Sequence, residues 1–349
     1  MDEQVAGSAV LAGPAAVPSR LARRPRYVAI GIGFLLLAFA STFFIAGTDA
    51  GTDVGSVLVS SGSALLVLRW QFGIVLLGCA VLHYVAAGLS ARAVMSRPAP
   101  WREVTLVQLA AAAANRITPA GLGGSAVNAR YFSRRAMPVP AALGAVATLA
   151  LLGAVADLLT GLVVIGLGSF AGIGGARREL SLLASYGAHL ARPFSSIWAW
   201  IVLVALLAAL GPVLIRRAAR WPAGLVQPLL QLLHRPGRLL ALLAASGATT
   251  LLLGCAFVCS VWMVPGARSS TSAGGLLIGF MLASAVSATV PVPAGLGSTE
   301  AALAAVLLTA HIPAAQAVQQ VLLFRVVTFW APAVVGLFVS RRLQRSGVL

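Results

Sequence analysis

The chain has 349 residues, of which 59% are hydrophobic and 9% charged, with a net charge of +17. A soluble domain carries about 25% charged residues, so a water-soluble fold of this length is excluded. All 25 basic residues are arginines that gather at the ends of apolar runs without interleaved aromatics, which excludes a nucleic-acid stripe and points to membrane topology.

Residues 1–26 read as a disordered, basic, cytoplasmic tail. It is rich in Ala, Gly and Pro and closes on Arg20, Arg23, Arg24 and Arg26. The apolar run from Tyr27 to Ala46 comes next. A helix of about 20 residues rises about 30 Å, the hydrocarbon thickness, and is long for a signal-peptide core, so this run reads as a retained first span. Segment 53–70 is apolar but broken by Ser60, Ser61, Gly62 and Ser63. It reads as an interfacial helix or as the start of the second span.

Further spans are predicted at 71–91, 139–168, 196–215, 239–264 and 314–339. Two apolar segments are too short to cross. Val104–Ala114 is bounded by Arg102 and Glu103 on one side and by Asn115 and Arg116 on the other. Leu276–Val290 runs into Pro291. Each leads into a Pro/Gly loop and a second short apolar stretch, the pattern of a helix that enters the membrane, breaks and returns. The expected fold is therefore all-α and polytopic, with about six transmembrane helices and two re-entrant hairpins at about 101–133 and 274–311. The transmembrane domain covers 27–342, and 343–349 form a cytoplasmic tail.

Arginine placement sets the orientation. With the N-terminus inside, 18 arginines fall on the cytoplasmic side and 5 outside, while Arg116 and Arg325 lie at membrane depth. Both termini are expected in the cytoplasm of a bacterium whose arginine-only basic set reflects GC-rich coding. The first hairpin then enters from the cytoplasm and the second from outside.

The two loops nearly repeat each other. Residues 119–125 read PAGLGGS and residues 293–298 read PAGLGS. Proline stops the incoming helix, glycine permits unusual backbone and close approach, and Ser125 and Ser298 are placed to cap the outgoing helices. Inverted broken helices meeting inside the bilayer are the sequence pointer to a transport site. Their N-termini would offer N–H groups to a phosphate. The bland alternative is a pair of tight turns in a helix-packing interface.

Ionisable groups at membrane depth raise functional hypotheses by default. Arg116, beside Asn115, is read as a head-group ligand or as a helix C-cap. Arg130 is read as a second ligand or as an interfacial anchor with Arg134 and Arg135. Asp157, inside a span, is expected to pair with Arg116 or Arg325, either structurally or as a gate. Glu300 stands in the first turn after Ser298. It serves the helix dipole, or it partners Arg325 or a cationic head group. With Gly123, Gly124, Gly295 and Gly297 these residues form the candidate substrate site. His83 reads as a packed, hydrogen-bonded histidine. Cys79, Cys255 and Cys259 read as small buried hydrophobes. No metal, nucleotide or nucleophile motif is present, and no cofactor or metal is expected.

The stretches NRITPAGLGGSAVNAR (Asn115–Arg130), PVPAGLGSTE (Pro291–Glu300) and LLFR ending at Arg325 resemble the flippase-like transmembrane family that includes the membrane half of lysylphosphatidylglycerol synthases. The second motif of that family commonly reads P-G-G-x-G-x-x-E. Pro293, Gly295, Gly297 and Glu300 match it, with Ala294 in place of a glycine. In the first motif many members carry an acid after the glycine pair and an arginine three residues later; here Ser125 holds the acid position and the next arginine is Arg130. The resemblance covers about 27–342 and implies lipid translocation. The synthases continue into a soluble acyltransferase-like domain. This chain stops at Leu349, so no aminoacyl transfer and no enzyme activity are expected. The expected partner is a membrane lipid: an anionic phospholipid, a polyprenyl-phosphate-linked lipid or an aminoacyl lipid. A homo-oligomer stays open. The alternatives are a non-transporting subunit that docks a lipid- or glycan-modifying enzyme and, lower, a membrane-embedded enzyme acting on glycolipids.

Overall fold

The computed structural model describes residues 68–97, 99–118, 122–170, 223–265, 271–289 and 296–349. These residues are helical throughout: α1 (Trp70–Val94), α2 (Trp101–Ile117), α3 (Leu122–Arg134), α4 (Val139–Phe170), α5 (Ala223–Leu233), α6 (Pro236–Met263), α7 (Ala273–Thr289), α8 (Ser298–Thr309), α9 (Ala314–Arg325) and α10 (Ala331–Arg345). A π-helical turn, Val326–Trp330, joins α9 to α10. The predicted spans at 27–46 and 196–215, the tail 1–26 and nearly all of 53–70 lie outside the described residues.

Among the described residues, four helical stretches are long and apolar enough to cross a bilayer: Trp70–Val94, Val139–Val164, Pro236–Met263 and Gln316–Arg345. Large apolar side chains stay exposed along them, among them Leu77 and Val81 on α1, Leu151 and Val163 on α4 and Phe338 on α10. In water such faces would have to be covered; in a bilayer hydrocarbon covers them. The chain is a multi-pass membrane protein.

Two apolar cores lie one at each end of the bundle. One gathers Leu76, Phe257, Leu276, Leu303, Leu307 and Phe324. The other gathers Ala91, Val104, Tyr131, Phe132, Leu242 and Leu343. Helix α1 runs from the first core to the second and α6 runs back, so the two are antiparallel. Their ends are tied together: Arg69 N–H donates to the Met263 carbonyl at 3.0 Å, and Arg238 donates to the Met95 carbonyl.

The same two cores give the direction of each broken pair. Helix α2 leaves the second core at Val104, and α3 returns to it at Tyr131 and Phe132. Helix α7 leaves the first core at Leu276, and α8 returns to it at Leu303 and Leu307. The two helix–break–helix units thus enter from opposite ends. At the base of the first unit Glu103 accepts from the Tyr131 hydroxyl at 2.9 Å and pairs with Arg135, which holds entry and exit together. Close helix approach depends on missing side chains: a Cβ on Gly336 of α10 would stand 2.2 Å from the Leu109 carbonyl oxygen of α2.

Helix α5 was not expected from the sequence. Leu225, Leu229, Leu232 and Leu233 have the spacing of one helical face, but Pro228 interrupts the reading. The helix forms with Pro228 inside it and packs on α4.

Candidate functional site

The first break is closed by side chains of the incoming helix. Thr118 ends α2; its hydroxyl donates to the Ala114 carbonyl at 2.9 Å and accepts from Gly123 N–H at 2.7 Å. Asn115 Oδ1 accepts from Gly124 N–H. A hydroxyl and an amide can both serve as helix caps, so α3 starts with its first donors satisfied. Neither glycine has room for a side chain. A Cβ on Gly123 would fall 2.4 Å from the Ala114 carbonyl oxygen, and one on Gly124 would fall 2.6 Å from Asn115. Farther along, Asn128 donates to Gly124 O and accepts from Gln108, which locks α3 to α2.

The second break is closed from the outgoing side. Gly297 is the N-cap residue of α8 and has φ +82°, a left-handed conformation open to glycine. Glu300, in the first turn of α8, reaches back to accept from Gly297 N–H at 2.8 Å. Its other oxygen accepts from Arg325 Nε at 2.6 Å. Glu300 and Arg325 are 9% and 7% exposed, so this pair is held away from solvent. One carboxylate therefore fixes both the break and the charged residue of α9.

Residues of both helix pairs line one cavity of about 450 Å³. That volume lies within the range of about 300–1,000 Å³ typical of small-molecule sites. Helix α1 contributes His83 and Tyr84, and α2 contributes Gln108, Asn115 and Arg116. Helix α3 adds Gly124, Ser125 and Asn128. From the other unit come Ser284 and Ser287 of α7 and Thr299 of α8, and beside them Arg325, Thr328 and Phe329. The cavity sits between the two apolar cores and is polar where the helices around it are not.

Its charge is unbalanced. Arg116 donates from Nη1 to its own helix, at Ala112 O, 3.1 Å away, while its Nε has no hydrogen-bond partner. Among the described residues no carboxylate forms an ion pair with it; the pairs present are Arg135–Glu103 and Arg325–Glu300. Arg325 keeps Nη2 unpartnered. Both guanidiniums approach the same aromatic ring, Phe329, at 4.2 and 4.1 Å from its centroid. The negative face of a ring holds a cation in place without neutralising it. Two cations against one carboxylate leave an excess of positive charge, with unused N–H donors, inside an apolar shell. Buried donors without partners call for an explanation, and here both guanidiniums lie against the Phe329 ring.

The predicted residues divide clearly. Asn115, Arg116, Gly124, Ser125 and Arg325 line the cavity. Gly123, Gly297 and Glu300 shape its walls through the contacts above. Gly295 lies outside the described residues, as do Pro119 and Pro293. Three expectations are corrected. Ser125 and Ser298 do not cap the outgoing helices: Asn115 and Thr118 cap α3, and Gly297 with Glu300 caps α8. Of the N–H groups near the two breaks, those of Gly123, Gly124 and Gly297 are thus taken by acceptors within the protein. Arg130 is exposed on α3 and lines no part of the cavity. Asp157 pairs with neither arginine; it accepts from the Thr250 hydroxyl, because α4 turns that residue toward α6 and gives the cavity no lining residue. Tyr84, Gln108, Asn128 and Phe329 went unnoticed in the sequence. Phe329 stands four residues after Arg325, a spacing that places two residues on one helical face and could have drawn attention to it.

Residues 26–336 match the family described as lysylphosphatidylglycerol synthase TM region, a stretch that includes both breaks and both cavity arginines. No curated protein matches the chain.

Proposed function

The chain belongs to the lysylphosphatidylglycerol synthase transmembrane-region family, and on that footing we propose that it moves an anionic lipid head group between leaflets. The observation that carries this reading is the pair of guanidiniums on the wall of one cavity lined by both oppositely entering helix pairs, Arg325 held by Glu300 and Arg116 with no carboxylate paired to it among the described residues. A phosphate seated between Arg116 and Arg325 receives charge-assisted hydrogen bonds from both, while its acyl chains stay in hydrocarbon. The excess positive charge favours a phospholipid or polyprenyl phosphate over a cationic aminoacyl head group, because the carboxylate that would greet the amine, Glu300, already holds Arg325. That engagement also leaves Glu300 without the freedom of an acid–base catalyst, which supports transport over bond making. In orientation, Arg97, Arg102, Arg134, Arg135, Arg235, Arg238, Arg341 and Arg342 belong to helix ends and loops around the second core, and Arg69 is at the first. That bias supports a reading in which the second core, and the C-terminus with it, lies toward the cytoplasmic side of the membrane.

The test is movement of fluorescent phosphatidylglycerol across proteoliposomes, read by dithionite quenching. The wild-type chain speeds movement. Arg116→Gln and Arg325→Gln each remove a charge-assisted contact of about 1.5–3 kcal/mol, which slows movement roughly ten- to a hundredfold. Unchanged rates in both variants, with monodisperse protein, reject the site.

A further inference from the structure

His83 is the cavity residue whose chemistry the anion site leaves unused. It stands on α1 and lines the cavity together with Arg116 and Arg325. Its Nδ1 lies 3.1 Å from the Thr249 carbonyl oxygen of α6, and its ring meets that of Tyr84 edge-on at 5.0 Å between centroids. A carbonyl oxygen only accepts, so Nδ1 carries a hydrogen. In the neutral ring Nε2 then holds the lone pair, and it has no hydrogen-bond partner among the described residues. The ring is fixed at one nitrogen and open at the other.

We propose that His83 takes up a proton at Nε2 when an anionic head group enters the cavity, so that lipid binding is proton-linked; the proposal rests on the anion-site reading. The proton comes from the buffer acid in solution, whose conjugate base stays behind in solution. The argument is one of charge. The groups around His83 are Tyr84 on its own helix, Arg116 from α2, Arg325 across the cavity with its partner Glu300 from α8, and, behind Thr249, Asp157 of α4 bound to Thr250; Cys79 lies one turn away on α1. With the cavity empty, Arg116 and Arg325 outweigh Glu300, and a third cation is repelled. An incoming phosphate diester reverses that balance. The imidazolium then donates from Nε2 to a phosphate oxygen while Nδ1 keeps its bond to Thr249. Binding and protonation therefore favour each other, and by linkage the effect is reciprocal. Histidine is suited to this role because its charge changes near neutral pH. The sign follows: occupancy raises the proton affinity of His83, so binding tightens as pH falls and weakens as pH rises through the titration of the occupied state.

The experiment is calorimetric titration of the full chain, in phosphatidylcholine nanodiscs, with dihexanoyl phosphatidylglycerol, whose diester does not itself titrate near neutrality. It is run from about pH 6 to pH 8 in buffers of low and high ionisation enthalpy. For the wild-type chain the affinity is expected to rise as pH falls, by up to about tenfold per unit, with a buffer-dependent heat that reports proton uptake. His83→Asn preserves a donor to Thr249 and deletes Nε2; it is expected to bind with no pH dependence and no proton uptake. His83→Gln gives a second variant with the opposite geometry and the same expectation. Wild-type binding that ignores pH, or proton uptake that persists in both variants, overturns the proton step and leaves the anion site standing. Failure of the wild-type chain to bind at every pH overturns both.

Discussion

Glu300 and Arg325 form a buried pair whose removal can be worked through in advance. Glu300→Ala leaves the Arg325 guanidinium with both Nε and Nη2 unpartnered, and it also strips the acceptor from Gly297 N–H. Breaking one side of a buried pair costs about 3–5 kcal/mol, and the lost cap adds about 0.5–2 kcal/mol. Arg325→Met is milder, since Glu300 keeps Gly297. The double variant Glu300→Ala/Arg325→Met removes both charges, so it loses packing and the cap but no longer buries a lone cation. A coupling energy of about 2–3 kcal/mol follows, the double variant being more stable than the sum of the singles. Glu300→Gln tests the same geometry: an amide has one oxygen for two donors, at 2.6 and 2.8 Å, so one donor is orphaned, at a cost of about 1–3 kcal/mol. The assay is reversible unfolding in mixed micelles under an SDS titration, followed by circular dichroism. Additive effects to within about 0.5 kcal/mol would refute the reasoning, because residues without a shared interaction behave in that way.

Asn115→Ala removes the acceptor from Gly124 N–H and is expected to cost about 1 kcal/mol in the same unfolding assay, with Asn115→Asp recovering most of it. Phe329→Leu keeps apolar volume but removes the ring face shared by Arg116 and Arg325; a loss of about 1–2 kcal/mol in phosphatidylglycerol affinity is expected by calorimetry. Arg130→Gln, on an exposed face of α3, is expected to change unfolding by less than about 0.5 kcal/mol and to leave lipid movement at the wild-type rate, which dithionite quenching checks.

The spans were legible because a bilayer imposes a length on an apolar run. The prediction of 71–91 is Trp70–Val94, that of 139–168 is Val139–Phe170, and that of 239–264 is Pro236–Met263. Within 101–133 and 274–311 the described residues form the helix pairs α2–α3 and α7–α8. The last predicted span, 314–339, is the stretch Gln316–Arg345, and the π-turn at Val326–Trp330 inside it is a local change that composition does not encode.

Side-chain partners were less legible, because they depend on how each helix is rotated about its axis. Of the roles the sequence leaves open for Glu300, the pairing with Arg325 is present. Charge alone predicts an arginine partner for Asp157, and the rotation of α4 gives it the Thr250 hydroxyl instead. Ser125 looked like a cap because serine follows the glycines, but the break is so tight that side chains preceding it, Thr118 and Asn115, reach across first. The sequence predicts a hydrogen-bonded packing role for His83. Its bond to Thr249 is present, and its placement in the cavity wall is a matter of tertiary structure.

The most direct measurement is a cryo-electron microscopy map of the chain in nanodiscs loaded with phosphatidylglycerol. The account predicts phosphate density between the guanidiniums of Arg116 and Arg325, beside Phe329, with acyl density leaving the cavity toward the bilayer. An ordered lipid phosphate bound elsewhere, with that space empty in the same map, would contradict it.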